Sequence, residues 1–271
     1  MSIYDKALKG LLRKSSILRF RKYDEFKKMV STLSNAEIKW LKELSKTNLY
    51  AQFNLGYMHK HGLGVKYDHK EAVRLYRLSA DQGNSYAQNY LGLMYENGLG
   101  VEKDFKEAIR LYRLSADQGN SNAQYYLGYM YKYGRKVEKD LKEAVRLYRL
   151  SADQGNSYAQ NSLGILYQYG LGVKKDYEKA VRLYRLSVEQ DYSNAQNNLA
   201  IMYKNGLGVE KNYKEAIRLY RLSADQGYSE AQFHLGIMYE LGRGVEKDLK
   251  EAVRLYRLYA DQGNESAKIL F

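Results

Sequence analysis

Hydrophobic and polar positions follow one pattern from Ala51 onward, and the pattern recurs every 36 residues. In the unit from Ala87 to Asn122, small and apolar residues lie three and four positions apart in the first half, and again in the second half. This spacing predicts two helices per unit, each with one buried face. A fixed period of this length is typical of solenoid repeat arrays. Counterparts of Ala87 stand at Ala51, Ala123, Ala159, Ala195, Ala231 and Ala267.

Both predicted helices carry start signals. Ser121 with Gln124, and Asp104 with Glu107, fit the capping box, whose two side chains satisfy backbone groups that a helix start leaves unpaired. Gly119 follows the second helix, where glycine adopts the left-handed conformation that ends a helix at no steric cost. The same signals recur along the array, so each unit is predicted to be a helix-turn-helix hairpin.

Three substitutions interrupt the regular pattern. Lys136 stands where the turns of other repeats have glycine, which predicts either a left-handed lysine or a different turn. Asp191 replaces the glycine after the fourth second-helix, a milder change because aspartate tolerates that conformation better. Ala200 replaces a glycine at the predicted close contact between the two helices.

The unit carries the motif AQ..LG.MY..G.GV..D..EA..LY..SADQG, read from Ala87 to Gly119, and it resembles the Sel-one-like repeat (SLR) family, relatives of the tetratricopeptide repeat. The resemblance implies an all-α, right-handed superhelical α/α solenoid of helix-turn-helix repeats. It also implies a role as adaptor or scaffold in protein complexes. The residues that it implies for packing the two helices together are Leu91, Gly92, Tyr95, Ala108, Tyr112 and Ser115.

The pattern predicts three parts: a basic helical N-terminal cap with a degenerate half repeat over 1–50, six repeats over 51–266, and a truncated repeat start over 267–271. Two apolar helical sets within residues 3–30 are interpreted as a cap over the first repeat. The alternative is a basic amphipathic element for a membrane surface, organelle targeting or an acidic partner. Ser34 and Glu37 form a capping box for the half repeat, with Trp40 as its aromatic seal.

Charge and composition indicate which partners and which cellular compartment to expect. The net charge is +13, and residues 1–50 contribute +7 of it (12 Lys/Arg against 5 Asp/Glu), so electrostatic attraction to acidic surfaces is expected to begin there. The chain has no cysteine, and it has no apolar run long enough for a transmembrane helix or a secretory signal. We therefore expect an intracellular, cytoplasmic monomer without a transmembrane segment.

Catalytic chemistry finds little support in the sequence. His59, His61 and His69 lie close together, but His59 stands where the other repeats have tyrosine, and His69 where they have Phe, Leu or Tyr. Substituted packing positions explain this better than a metal site does. The GLGV turns join two helices and do not follow a strand, unlike a phosphate-binding loop. We predict a non-enzyme with no cofactor and no metal site.

The second helices carry two arginines per repeat, Arg74 and Arg77 in the first, which together form an arginine ladder. By helical angle they point away from the apolar face, toward the expected convex side, with Glu71 and Asp81 close enough to pair. A solvated, half-neutralised face is one interpretation. The alternative is an electrostatic binder of nucleic acid or of an anionic membrane surface, acting through the ladder and the basic N-terminal segment.

The opposite side of the first helix is where the copies differ, and the resemblance places it in the concave groove. It mixes aromatic and apolar residues with asparagine, which favours binding a peptide or helix of a protein partner of unknown identity. Drift between duplicated copies, with some of these residues packing on neighbouring repeats, is the other explanation. The densest aromatic set, Tyr125, Tyr129 and Tyr133, is the predicted hot spot. The predicted partner-binding residues are Phe53, Tyr57, Asn89, Leu93, Tyr125, Tyr129, Lys132, Tyr133, Asn161, Tyr169, Asn197 and Phe233.

Overall fold

The structure is a computed structural model that describes Val30 and residues 33–263. These residues form thirteen α-helices and no strand. None of the helices in this described part is long and apolar enough to span a membrane. The helices are α1 Asn35–Leu44, α2 Leu49–His61, α3 His69–Asp81, α4 Ser85–Asn97, α5 Phe105–Asp117, α6 Ser121–Tyr133, α7 Leu141–Asp153, α8 Ser157–Tyr169, α9 Tyr177–Val188, α10 Ser193–Asn205, α11 Tyr213–Asp225, α12 Ser229–Leu241 and α13 Leu249–Asp261.

From α2 onward the helices alternate as the first and second helices of six repeats, which confirms the predicted all-α solenoid of helix-turn-helix units. The chain divides into two compact units, residues 1–139 and 140–271. Repeat three supplies α6 to the first unit and α7 to the second. Within each unit, every helix packs on the helix before it and the helix after it in the chain.

The second helices begin as predicted, but with a different use of glutamate. The carboxylate of Asp104 accepts hydrogen bonds from the backbone N–H groups of Lys106 and Glu107 at 2.9 and 3.1 Å. Glu107 does not complete a capping box, because its carboxylate accepts two hydrogen bonds from Arg110, each at 2.7 Å. The Asp104 N–H instead donates to the Tyr95 carbonyl.

The predicted start of the first helices is wrong by one residue. Asn120 is the N-cap of α6, and its side-chain oxygen accepts from the N–H groups of Asn122 and Ala123, both at 3.1 Å. Ser121 is already helical. Gln124 is buried and donates to the Ala116 carbonyl of the preceding repeat at 3.2 Å, so it joins repeats and does not cap the helix.

Each second helix contributes a tyrosine to the core. Tyr112 of α5 is fully buried, and its ring lies against Gly92 of α4. A Cβ at Gly92 would stand 3.0 Å from that ring and 3.2 Å from the Ala108 carbonyl, which explains why most repeats have glycine there. Ala200 occupies the equivalent place in repeat five and is fully buried. The buried tyrosines are Tyr76, Tyr112, Tyr148, Tyr184, Tyr220 and Tyr256.

A buried serine and a pair of glutamines fasten the two helices of a repeat to each other. The hydroxyl of Ser115 donates to the Ser85 carbonyl at 2.6 Å, and Gln118 donates to Gln88 at 2.8 Å. Gln88 in turn donates to the Ala80 carbonyl of the preceding repeat at 3.3 Å. These bonds satisfy polar groups that the close packing of helices removes from water.

The turns decide between the two possibilities for Lys136 in favour of the left-handed one, and they show Asp191 in the same conformation. Lys136 has φ +61° and Asp191 has φ +57°, in the region that favours glycine. The glycine equivalent to Lys136 in repeat two, Gly100, packs on the start of α3, where a Cβ would lie 2.4 Å from the His69 backbone. In repeat three the Lys136 ammonium lies 4.9 Å from the Phe105 ring centroid.

The predicted half repeat is α1. Ser34 caps it in a full capping box with Glu37, as expected, Leu41 is buried, and Trp40 is half-buried. The predicted cap over residues 3–30 lies, except for the buried Val30, outside the described residues, and so does the truncated repeat start at 267–271.

Candidate functional site

We define the first-helix surface as the residues of α2, α4, α6, α8, α10 and α12 that are equivalent to Tyr125, Tyr129, Lys132 and Tyr133. Within the first unit, the expectation of exposed side chains is wrong for α2. Phe53 is 1% exposed and Tyr57 is 3% exposed. Phe53 packs against Tyr90 with ring centroids 5.5 Å apart, and Tyr57 packs against the same ring at 5.7 Å. Both residues therefore belong to an aromatic cluster inside repeats one and two.

The three asparagines of the predicted site are also buried, against expectation. Asn161 accepts a hydrogen bond at 2.9 Å from Asn198, while the side-chain oxygens of Asn89 and Asn197 have no partner among the described residues. Spacing alone could not distinguish these positions from exposed ones, because α4, α8 and α10 pack on both neighbouring second helices in their units. Leu93, one turn from Asn89, is half-buried.

The structure does bring together the predicted aromatic set on α6. The Tyr129 and Tyr133 rings lie 4.6 Å apart, and Tyr133 is 52% exposed. The Arg135 guanidinium lies 4.9 Å from the Tyr129 ring, and the Lys132 ammonium lies 4.7 Å from the Tyr133 ring. Cations over ring faces are attracted by the π-electron quadrupole. Tyr129, Lys132, Tyr133 and Arg135 therefore form a preassembled aromatic and cationic cluster, hereafter the α6 cluster.

Tyr125, the third member of the predicted hot spot, has a different environment. It is half-buried, and its ring lies 5.5 Å from Tyr126, which in turn stacks on the buried Tyr112 at 5.6 Å. Tyr125 therefore borders the core of the first unit. Tyr129 is half-buried as well, and Tyr133 is the exposed ring of the three.

In the second unit the predicted residues remain separate. Tyr169 at the end of α8 is 61% exposed. Phe233 of α12 is half-buried and contacts Tyr259 and Tyr256 of α13, with ring centroids 5.0 and 5.7 Å away. No aromatic and cationic cluster of the α6 kind forms around Tyr169 among the described residues.

One position of the surface has a structural role that sequence reasoning did not assign. Glu96, equivalent to Lys132, accepts a hydrogen bond from the buried Tyr112 hydroxyl at 2.7 Å. Glu240 accepts the same bond from Tyr256 at 2.6 Å. The alternation of lysine with glutamate or glutamine at this position was the available signal.

The arginine ladder is largely engaged. Arg110, 58% exposed, pairs with Glu107, and the corresponding pair forms in repeats one, three, five and six. In repeats one to five the second arginine reaches the next repeat: Arg77, for example, donates to the Tyr95 hydroxyl at 2.7 Å. Each carboxylate offsets one arginine charge, and each tyrosine contact helps to join neighbouring repeats. This arrangement matches the interpretation of a half-neutralised face, and nothing in it favours the polyanion alternative.

The three neighbouring histidines make separate contacts. His59 is hydrogen-bonded to the Lys66 carbonyl at 2.9 Å, and His69 to the Tyr67 hydroxyl at 2.7 Å. His61 packs on Tyr57, and burial lowers its pKa to about 4. In the described part of the chain, no group of three or more potential ligands could hold a metal ion.

Helical hairpins of constant length, with a glycine of the first helix packed on a tyrosine of the second, place the chain in the tetratricopeptide-like class of repeat proteins. The chain belongs to the Sel1 repeat family. The model of that family matches residues 49–84, 85–120, 121–156, 157–192, 193–228 and 229–264. No curated protein matches the chain.

Solved structures agree with this assignment. A protective antigen of uropathogenic Escherichia coli with an SLR fold is 35% identical over 85% of this chain, with TM-score 0.73; the chain spans 50% of the antigen. A Sel1 repeat protein from Oxalobacter formigenes is 31% identical, with 92% and 96% of the two chains covered and TM-score 0.74. An immunity protein from Pseudomonas aeruginosa is 26% identical, with 78% and 81% covered and TM-score 0.51. Sel1 repeats generally form non-catalytic scaffolds for protein interactions.

Proposed function

We propose that this chain is a protein-interaction scaffold that binds a peptide or helix of a partner on its first-helix surface, with the α6 cluster as the hot spot. The supporting observation is the contact between the half-buried Tyr129 ring and the exposed Tyr133 ring, with Arg135 and Lys132 placed against these rings. Tyrosine and arginine dominate the binding energy of many interfaces, because they bury a large area while keeping a polar group. None of the other first helices combines two such rings with two cations.

The geometry also favours binding without rearrangement. The rings and cations already contact one another in the free chain, so little side-chain freedom remains to be lost when a partner docks. A partner segment with an apolar side chain would cover the ring faces, and its carbonyl or carboxylate groups would accept hydrogen bonds from Arg135 and Lys132.

The test compares partner capture by wild type and by the double variant Tyr129→Ala, Tyr133→Ala, using nuclease-treated lysate of the native cell and quantitative mass spectrometry. The matched control is Tyr67→Ala, which removes a tyrosine of similar exposure, 58%, outside the surface. We expect a small set of proteins to be lost with the double variant and kept with the control. A purified member of that set should then bind the double variant at least about tenfold more weakly.

Two results would contradict the proposal. One is equal recovery by wild type and the double variant when both show the same helical circular dichroism. The other is equal loss with the double variant and with Tyr67→Ala, since that would mean that exposed tyrosines retain proteins nonspecifically.

A further inference from the structure

One position of the first-helix surface decides whether a buried tyrosine hydroxyl of the same repeat is hydrogen-bonded. In repeats two, four and six this position holds Glu96, Gln168 and Glu240. Each accepts a hydrogen bond from the second-helix tyrosine, at 2.7, 2.5 and 2.6 Å. In repeats one, three and five the position holds lysine, Lys60, Lys132 and Lys204.

In repeat five, where lysine replaces the acceptor, the Tyr220 hydroxyl has no hydrogen-bond partner among the described residues. The Tyr220 side chain is 0% exposed, and its hydroxyl makes no hydrogen bond within the described residues. An ammonium group has only hydrogen-bond donors. Lys204 therefore cannot accept a hydrogen bond from the tyrosine hydroxyl, as Glu96 and Glu240 do in their repeats. A buried polar group without a partner is destabilising, so such a group in a native structure needs an explanation. Repeat one shows the same combination, with Lys60 and an unpaired Tyr76.

The neighbouring helix α12 adds a second unpaired group. The His234 ring lies 5.4 Å from the Tyr220 ring, and its Nδ1 is buried without a hydrogen-bond partner in the described chain. Burial, followed by the charge of Lys204, lowers the pKa of His234 to about 4, so this ring is neutral at pH 7. Burial, followed by the charge of Arg243, lowers the pKa of Lys204, so the positive charge near this site comes from Lys204 and Arg243. The nearby carboxylate, Glu230, accepts a hydrogen bond from Ser229 at 2.9 Å.

We infer that Lys204, Tyr220 and His234 form a recognition site for a carboxylate, supplied by an aspartate or glutamate side chain of the bound partner. The ligand chemistry follows from the repeat itself, since Glu96 and Glu240 show that a carboxylate fits beside this tyrosine and accepts a hydrogen bond from its hydroxyl. In the complex, the Lys204 ammonium would pair with the carboxylate, Tyr220 would donate to it, and the His234 tautomer protonated at Nδ1 could donate as well.

The position of the site suits a ligand from outside. Lys204 and His234 are half-buried, so they are within reach of the surface, and the lysine stem is flexible. The inference rests on the proposed function, because it names the chemistry of a partner held on the same first-helix surface. It assigns acidic residues to the part of the partner that lies over repeat five.

The binding test uses a fluorescein-labelled oligoglutamate peptide and fluorescence anisotropy. Lys204→Glu should weaken its binding about tenfold, because the introduced carboxylate would occupy the Tyr220 hydroxyl and repel the ligand. The control is Lys214→Glu, which makes the same change of charge at an exposed position of the same repeat and should change binding less than about twofold. Equal weakening by the two variants, or stronger binding of an oligothymidylate that ignores Lys204, would overturn the inference.

A stability comparison tests the hydroxyl directly. Tyr220→Phe should weaken peptide binding severalfold without lowering the urea midpoint, because that hydroxyl has no partner to lose. Tyr112→Phe is the matched variant in repeat two, and it should lower the midpoint, because it removes the hydrogen bond to Glu96. If Tyr220→Phe lowers the midpoint as much as Tyr112→Phe, the hydroxyl is already paired and the site does not exist.

The two proposals can fail separately. The oligoglutamate measurement needs no native partner and depends on Lys204 and Tyr220, whereas partner capture depends on Tyr129 and Tyr133. Capture that requires the α6 cluster, together with peptide binding that is indifferent to Lys204→Glu, would remove only the carboxylate site. The converse result would keep that site and remove the proposed hot spot.

Discussion

The two helices of each repeat differ in how much their residues vary from copy to copy. The second helices repeat almost the same residues and share three contacts. The tyrosine lies in the core in all six repeats, and an arginine pairs with glutamate in five of them. The serine hydroxyl donates to a first-helix carbonyl in repeats one, two, four and five, and Tyr259 replaces this serine in repeat six. The first helices keep buried positions such as Leu91 and Met94 but vary on the other side. Constancy therefore marks residues that hold the array together, and variation marks the side on which copies are free to differ.

The largest expected difference in stability is between substitutions of a buried second-helix tyrosine and an exposed first-helix tyrosine. Tyr112→Ala removes a fully buried ring and its hydrogen bond to Glu96, and we expect it to lower the free energy of unfolding by about 3–5 kcal/mol. Tyr133→Ala removes a ring that is 52% exposed, and we expect a change below about 0.5 kcal/mol. Urea denaturation followed by circular dichroism measures both. Similar losses from the two substitutions would abolish the proposed division between the helices.

The repeat period and the apolar spacing were enough to predict the helices and the caps at Asp104 and Gly119, and they left two possibilities for Lys136, of which the left-handed one is observed. These features depend on local backbone chemistry, which a short stretch of sequence contains. The α6 cluster was also predictable in part, because Tyr129 and Tyr133 lie one turn apart on one helix.

Other features depend on contacts between repeats, which spacing along one helix cannot show. Phe53 and Tyr57 were expected on the surface, yet the rings of repeat two cover them. Gln124 was expected to cap its own helix, yet it bonds to the preceding repeat. The hydroxyl of Tyr220 is unpaired, whereas those of Tyr112 and Tyr256 are hydrogen-bonded, and the spacing of residues along a helix does not show this difference.

A substitution in the turn of repeat two tests whether close packing on the second helix of repeat one requires glycine there. Gly100→Lys combines a positive φ with a Cβ that would lie 2.4 Å from the His69 backbone, so we expect a loss of about 3 kcal/mol in the free energy of unfolding. The reciprocal control is Lys136→Gly in repeat three, which relieves the backbone strain and should gain about 0.5–1 kcal/mol. Thermal and urea unfolding report both changes. A loss from Lys136→Gly would show that this lysine has an essential contact.

A pH series tests the first-helix residue His234. Burial, followed by the charge of Lys204, lowers its pKa from 6.5 to about 4, so the unfolded chain binds a proton between these pH values and the folded chain does not. The stabilisation is complete above pH 6.5 and decreases as the pH falls to 4, by on the order of 2 kcal/mol. His234→Asn should remove this part of the pH dependence, which urea midpoints at several pH values measure.

His61 titrates over the same range, so it must be left intact in both proteins of that comparison. Equal pH slopes for wild type and His234→Asn would mean that His234 is hydrated in the folded chain. Lys204→Glu gives a second check, because replacing a nearby cation by an anion should raise the pKa of His234 in an NMR titration.

The smallest effect concerns the arginine ladder and compares repeats two and four. Arg110 forms an exposed ion pair with Glu107. Arg110→Ala should therefore lower the free energy of unfolding by about 0.3–0.5 kcal/mol, and by less at high salt. In repeat four Lys179 stands in place of that glutamate and pairs with Asp176 at 3.0 Å, so Arg182→Ala should leave the urea midpoint unchanged. Lys179→Glu should restore the arginine pair and stabilise repeat four slightly. An Arg182→Ala loss equal to that of Arg110→Ala would show that the ladder stabilises the second helices by packing of the arginine stems, not by charge.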